Sequence, residues 1–384
     1  MFVSAFFPRN YLFVVGILLL VLAIPPQVYA QYVDCSGNDP YAFPSITAAL
    51  ATAGPGSWIT VVGTCNENVY ISNLNNIGIS ALWQQTAAIN GMLSIQNSEN
   101  VNLYGLNVTN AAGDGIQVGN SRSVILDTCS GNGNAGKGMT IGPTSDVNIT
   151  TAGSFSNNGD TGITLNARSS LQILAWGGSV TISGNKNAGI YASTSYVEGL
   201  GNIVIENTSG STANGLVSGF GIDLRGQSIL QMGTIFGSNV IQNNHSGGVS
   251  LQENVEASFW GGPTIIANGA LNVIQNNGDV GLIAGFGTQV TFFDSVYISG
   301  HSDYGVDLYA NSQLYANGKN QFVRNATGTE LLRSGLRVDG NSEAYFRGGQ
   351  FLQNGGPAIT ALVNSSIDLT GATFQRKWRR DTYL

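Results

Sequence analysis

Residues 335–352 read GLRVDGNSEAYFRGGQFL, and this stretch decides the fold. Apolar side chains alternate with polar ones from Gly335 to Val338, again from Ala344 to Phe346 and again from Gln350 to Leu352, with Gly, Asn and Ser between the runs. Short period-two runs are strands, and separators of that composition are turns. The figure returns along the chain. Glycine, an apolar residue, any residue and a second apolar residue begin at Gly115, Gly138, Gly162, Gly189, Gly221, Gly248, Gly281, Gly305 and Gly335, and a degenerate copy covers Ala358 to Ala361. The steps between these glycines are 23, 24, 27, 32, 27, 33, 24 and 30 residues, a period that marks one rung of a solenoid.

Strands this short bury no core alone, so each must pair with its equivalent one coil along. The predicted fold class is all-β: a right-handed parallel β-helix of about ten or more rungs, the hand following from the strong preference of parallel crossovers. The absence of helix-period segments excludes leucine-rich and ankyrin solenoids. Asn132, Asn157, Asn185, Asn243, Asn276, Asn325 and Asn354 precede the repeat's glycine and are expected to form a ladder at one turn, where Asn tolerates the left-handed backbone. A capping helix is expected over residues 43–54, with Pro44 in its first turn and Phe43, Ile46, Leu50 and Ala53 on one face. It would cover the open apolar bore ahead of a first coil at Trp58–Val62 and Val69–Ile71. A capping helix followed by an apolar strand resembles the pectate-lyase-like right-handed β-helix superfamily over about residues 33–375. The resemblance is architectural: the fold hosts lyases, hydrolases, epimerases, esterases and non-enzymatic adhesins.

Composition narrows the function classes. Of 384 residues only 10% are charged, and the formal net charge is -7. Fifteen scattered Lys and Arg offer no nucleic-acid face. The apolar run Tyr11–Ile24 followed by Val28-Tyr29-Ala30 reads as a signal peptide over residues 1–30, the alternative being an uncleaved anchor helix, and this predicts a secreted, extracellular or periplasmic protein. The expected divisions are a cap and first coil at 31–66, repeats at 67–375 and a basic tail at 376–384. Export makes a Cys35–Cys65 disulfide chemically available and leaves Cys129 as a small buried hydrophobe. Between residues 31 and 375 stand 21 acidic and 10 basic residues, a net of -11, which disfavours anionic polymers unless calcium mediates. No cofactor or resident metal is expected, because the calcium-binding nonapeptide is missing.

Chemistry can sit only on the outward files of the rungs. The position between the two apolar residues of the first strand runs Gln117, Thr140, Thr164, Tyr191, Asp223, Ser250, Ile283, Asp307, Arg337 and Thr360. Functional groups crowd the last third, where Asp307, Tyr309, Arg337 and Asp339 form the candidate catalytic cluster. Adjacent rungs would place the Asp307 and Asp339 backbones about 8 Å apart, compatible with an acid–base pair, while Asp307 beside Arg337 favours a cross-strand ion pair. Tyr304-Gly305-Val306-Asp307 is similar to the opening of the mannuronan epimerase motif, but Leu308, Tyr309 and Ala310 stand where proline, histidine and aspartate should follow. The polygalacturonase, pectate lyase and pectin methylesterase signatures are absent. With His245 and His301 the only histidines, proton transfer has few candidates. On the second strand, Trp176, Trp260, Phe293, Tyr315 and Tyr345 are expected to face outward, the last four on consecutive rungs, as a stacking row for sugar rings or as a structural stack of cross-strand pairs. The reading is a monomeric, non-catalytic rod whose partner is a polysaccharide or cell-surface component. The alternative is a polysaccharide lyase, hydrolase or epimerase.

Overall fold

The computed structural model describes residues 30–375 apart from 84, 211–217, 262–268, 295 and 329–332. The expected signal segment and basic tail therefore lie outside the described residues, save Ala30 at the segment's end. Three parallel sheets of 14, 13 and 12 strands run the length of the molecule, and every strand pairs with its counterparts one coil away. The first sheet opens at Ala30–Asp34, which pairs with Trp58–Val62. This strand escaped the sequence reading because it lies within the expected cap. One coil visits the three sheets in turn, as in Glu343–Arg347, Gln350–Leu352 and Ile359–Ala361. The register forecast for this file of the first strand is reproduced residue by residue, from Gln117 against Thr140 through Asp307 against Arg337 to Arg337 against Thr360, but Thr164, Asp223, Ser250 and Asp307 within it are buried, where longer neighbours and turns cover the sheet.

Inside the coils a single apolar column forms, mostly Ile, Val and Leu in the first two thirds and Phe292, Phe322, Phe346 and Phe351 in the last. β-branched residues suit this pleated, half-buried surface. Two polar ladders line its corners. The first runs through Asn134, Asn158, Asn185, Thr208, Asn244, Asn277, His301, Asn325 and Asn354, all buried; the asparagine side-chain oxygens accept from the backbone of the residue one coil before, while Thr208 donates its hydroxyl to Gly219 and His301 meets Asn277 and Asn325 through its ring nitrogens. The forecast ladder thus holds at Asn185, Asn325 and Asn354. It is displaced at Asn132, which accepts from Ser154 and Ser156 instead, and at Asn157, Asn243 and Asn276, which occupy the left-handed position just before it. The second ladder includes Ser98, Ser121, Ser145, Ser169, Ser195, Ser228, Thr288, Ser312 and Ser342 at another corner.

The ladder explains the repeat's glycine. A Cβ on Gly305 would lie 2.8 Å from the Asn325 amide nitrogen and 2.5 Å from the Gly335 carbonyl oxygen, and Gly162, Gly221 and Gly335 face their next asparagine at 2.7–2.8 Å. Glycine is required by the approach of the neighbouring coil, since none of these residues has a positive φ. Ala358 can carry a methyl because no described coil follows it.

The capping helix is shorter than forecast. It spans Ile46–Leu50, and Ser45 rather than a proline-led first turn caps it. Pro44 precedes the cap, where its fixed φ sets the entry of the chain. Glu67 reaches back to accept from the backbone of Ile46 and Thr47, satisfying donors that a helix start leaves free. Ile46, Ala49 and Leu50 join the apolar column. Cys35 and Cys65 are bonded with Cα atoms 5.0 Å apart. Cys129 is free and buried, and burial pushes its thiol up to about 12, which suits a core residue and not a nucleophile.

Candidate functional site

The last coils bring the forecast cluster together in an open depression of about 450 Å³, lined by Ile283, Asp307, Tyr309, Ala310, Arg337, Asp339 and Gly340. Asp307 and Arg337 are cross-strand partners, and Asp339 lies two residues beyond Arg337 on the same side. The Arg337 guanidinium donates to Asp339 at 2.6 Å and stands 3.6 Å from the Asp307 carboxylate. Its carbon lies 5.3 Å from the centre of the Tyr304 ring. One cation is thus held between two carboxylates and over an aromatic face, and the forecast ion pair is present with a second acid added.

Asp307 is the perturbed group. Its side chain was expected to face solvent, but the residue is only 6% exposed and its Oδ1 is buried without a hydrogen-bond partner. Burial pushes its carboxyl up to about 6; Arg337 opposes the rise and Asp339 adds to it. Asp223, higher in the same file, is buried in the same way but answered by Ser218 and Arg225. Tyr309 lies flat along the neighbouring coil, where a Cβ on Gly285 would meet its ring at 2.4 Å, and its hydroxyl donates to Gln252 at 2.6 Å. Neither histidine joins this cluster. His301 is a rung of the buried ladder, and His245 is an exposed turn residue.

The expected aromatic row divides. Trp260 and Phe293 are register partners, and so are Tyr315 and Tyr345, but the second pair sits two residues earlier along the strand, giving two files of two rings. Counting consecutive rungs found the coils; the offset within each strand was not visible from spacing. Tyr315 and Tyr345 stack at 5.1 Å with planes 9° apart, as a structural pair would. Trp260 covers Gly233, whose Cβ would meet the ring at 2.5 Å. Trp176 lies beyond its strand, 75% exposed, and stacks on Phe236 at 6.0 Å.

Sequence reasoning missed Phe286. It is 55% exposed, has a φ of 56°, and meets Tyr309 edge-on at 5.3 Å. The available signal was a large aromatic residue in the turn between two strand runs, at the position that Gly226, Glu253, Ala310, Gly340 and Val363 hold in other coils.

Residues 90–259 match the family described as "Right handed beta helix region". This part of the chain is similar to a right-handed β-helix. With the three parallel sheets, that makes the described chain a right-handed parallel β-helix. Among solved structures, a pectate lyase is 13% identical with a TM-score of 0.46, covering 93% of this chain and 82% of that one. An alginate lyase from Paenibacillus is 14% identical with a TM-score of 0.41, covering 90% and 98%. The A-module of a mannuronan C-5 epimerase from Azotobacter vinelandii is 14% identical with a TM-score of 0.42, covering 85% and 82%. No curated protein matches the chain in sequence. Among the described residues no helix is long and apolar enough to cross a membrane.

Proposed function

We propose that this β-helix is an exported, non-catalytic saccharide-binding rod whose binding surface is the depression around Arg337. The observation that carries the reading is the closure of Arg337 between Asp307 and Asp339: the groups that would have to move protons or polarise a substrate are tied to one another. Tyr309, the remaining polar ring, is spent on Gln252. Such a surface offers hydrogen-bonding groups beside the rings of Tyr309 and Phe286, the combination that recognises a sugar's hydroxyls and its apolar face. The Cys35–Cys65 disulfide agrees with an oxidising compartment.

A second reading has one observation in its favour. A carboxyl raised to about 6 with a second acid close by is how a general acid is prepared for work near neutrality. Incubation with soluble uronate and neutral polysaccharides, assayed for new reducing ends or unsaturated products, separates the two. Binding without turnover supports the rod; turnover abolished by Asp307→Asn overturns it in favour of the enzyme.

A further inference from the structure

The depression lies where the turn file Gly226, Glu253, Phe286, Ala310, Gly340 and Val363 passes through its smallest members. All six have positive φ, so the backbone there favours glycine, and Ala310 and Gly340 leave a notch over Asp307 and Arg337. On either side stand Phe286, 55% exposed, and Val363, 68% exposed, three coils apart or about 14 Å. An aromatic held in the left-handed region costs about 1 kcal/mol or more, and a strained, exposed ring at the rim of a depression points to an occupant.

The charge of the notch selects that occupant. Asp307 and Asp339 against Arg337 give a formal net of -1 when both acids are ionised. The neighbouring cations are committed as well, Arg225 to Asp223 at 3.1 Å and Arg333 to Asp303 at 2.9 Å. A carboxylate-bearing sugar would meet two fixed carboxylates and an arginine already engaged. A hydroxyl or ammonium group finds acceptors. The nine-tenths-buried Asp307 supplies an independent sign, since its Oδ1 lacks a donor.

We infer that the notch binds an oligosaccharide lacking acid groups, laid along the stack from Phe286 toward Val363, with amino sugars preferred and uronates rejected. The inference rests on the saccharide-binding reading and specifies its ligand class. The full chain is titrated calorimetrically near neutral pH and at physiological salt with three hexamers: a deacetylated chitosan oligomer, a cello-oligomer and a galacturonate oligomer. The amino oligomer is expected to bind about tenfold more tightly than the neutral one and the galacturonate most weakly. Phe286→Ala, which removes an exposed and strained ring without opening the core, is expected to weaken the first two about tenfold. Asp339→Asn, which releases Arg337, is expected to narrow the gap between the amino oligomer and galacturonate. Galacturonate binding as tightly as the others, lost in Phe286→Ala, overturns the ligand class and leaves saccharide binding in place. Amino-oligomer binding indifferent to Phe286→Ala overturns the notch as the site. Failure of all three hexamers to bind overturns this inference and the saccharide-binding function together.

Discussion

Replacing His301 with asparagine tests the ladder where it departs from its own rule. His301 is fully buried; its Nδ1 lies 2.8 Å from the Asn325 carbonyl oxygen, and its Nε2 lies 3.2 Å from the Asn277 amide nitrogen. An oxygen can only accept and an amide nitrogen can only donate, so the ring is neutral with its proton on Nδ1. A second proton would point at the Asn277 donor. Burial accordingly pushes the ring down to about 4, with the Asn325 bond opposing the shift. The folded value lies below the ordinary 6.5, so the unfolded chain binds more protons between about pH 6.5 and 4. Stability is complete above that window and is lost as pH falls through it. At about pH 4.5 the loss is about 2–3 kcal/mol, which for 346 residues (30 to 375) corresponds to about 3–4 °C in Tm. His301→Asn keeps one acceptor and one donor in the ladder and removes the titration. Thermal unfolding of both proteins at about pH 7.5 and 4.5 provides the comparison. The variant's Tm relative to wild type should rise by those few degrees on going to the acid condition. Groups such as Asp307 titrate in both proteins and cancel in that double difference. A difference that stays constant between the two pH values would refute the buried neutral ring.

Gly305→Ala places a methyl 2.5 Å from the Gly335 carbonyl oxygen and should cost about 2 kcal/mol or more, whereas Gly113→Ala, with nothing within 4 Å, should stay within about 0.5 kcal/mol in the same denaturation assay. Cys35→Ser with Cys65→Ser opens a 30-residue separation and should lower stability by about 3–4 kcal/mol, read as a fall in denaturation midpoint absent from the wild type under non-reducing conditions. Asp307→Asn removes a carboxyl whose folded value is raised to about 6, and that group's contribution is present below about pH 3.8 and lost as pH rises through 6. The variant should therefore gain on the wild type between about pH 4 and 7 in paired melts. Tyr315→Ala should cost about 0.5–1.5 kcal/mol through the lost stack on Tyr345 and leave saccharide binding unchanged, which calorimetry checks directly.

The fold was legible because its causes repeat. Glycine, alternation and turn residues recur at each coil, and their period alone put Asp307 opposite Arg337. What stayed hidden depends on single offsets. The ladder residue is the one after the left-handed position, so Asn157 and Asn158 look alike in sequence while one turns the chain and the other fills the corner. The aromatic files split because a ring at Phe293 and a ring at Tyr315 follow strands of equal length at different positions. Nothing in the sequence assigned His301 a role, and its place in the buried ladder between Asn277 and Asn325, one coil to either side, shows only in the structure.

Repetition also restricts where function can be placed. The bore requires apolar branched or aromatic residues, the corners require Asn, Ser or Thr, and the approach of successive coils requires Gly, so those files have little freedom to vary. Only the outward files and the turns can differ from coil to coil without breaking the winding. The cluster at Asp307, Arg337 and Asp339 uses that freedom in two ways at once: an outward file supplies the charges, and the adjoining turn file, narrowed to Ala310 and Gly340, supplies the space. Phe286 then stands out on physical grounds, because a left-handed turn position favours glycine and the preceding glycine, Gly285, is what lets Tyr309 lie flat beneath it. The edge-on contact of Phe286 with Tyr309 serves the winding, and its exposed remainder beside an open, charged notch is the part that the proposed saccharide would use.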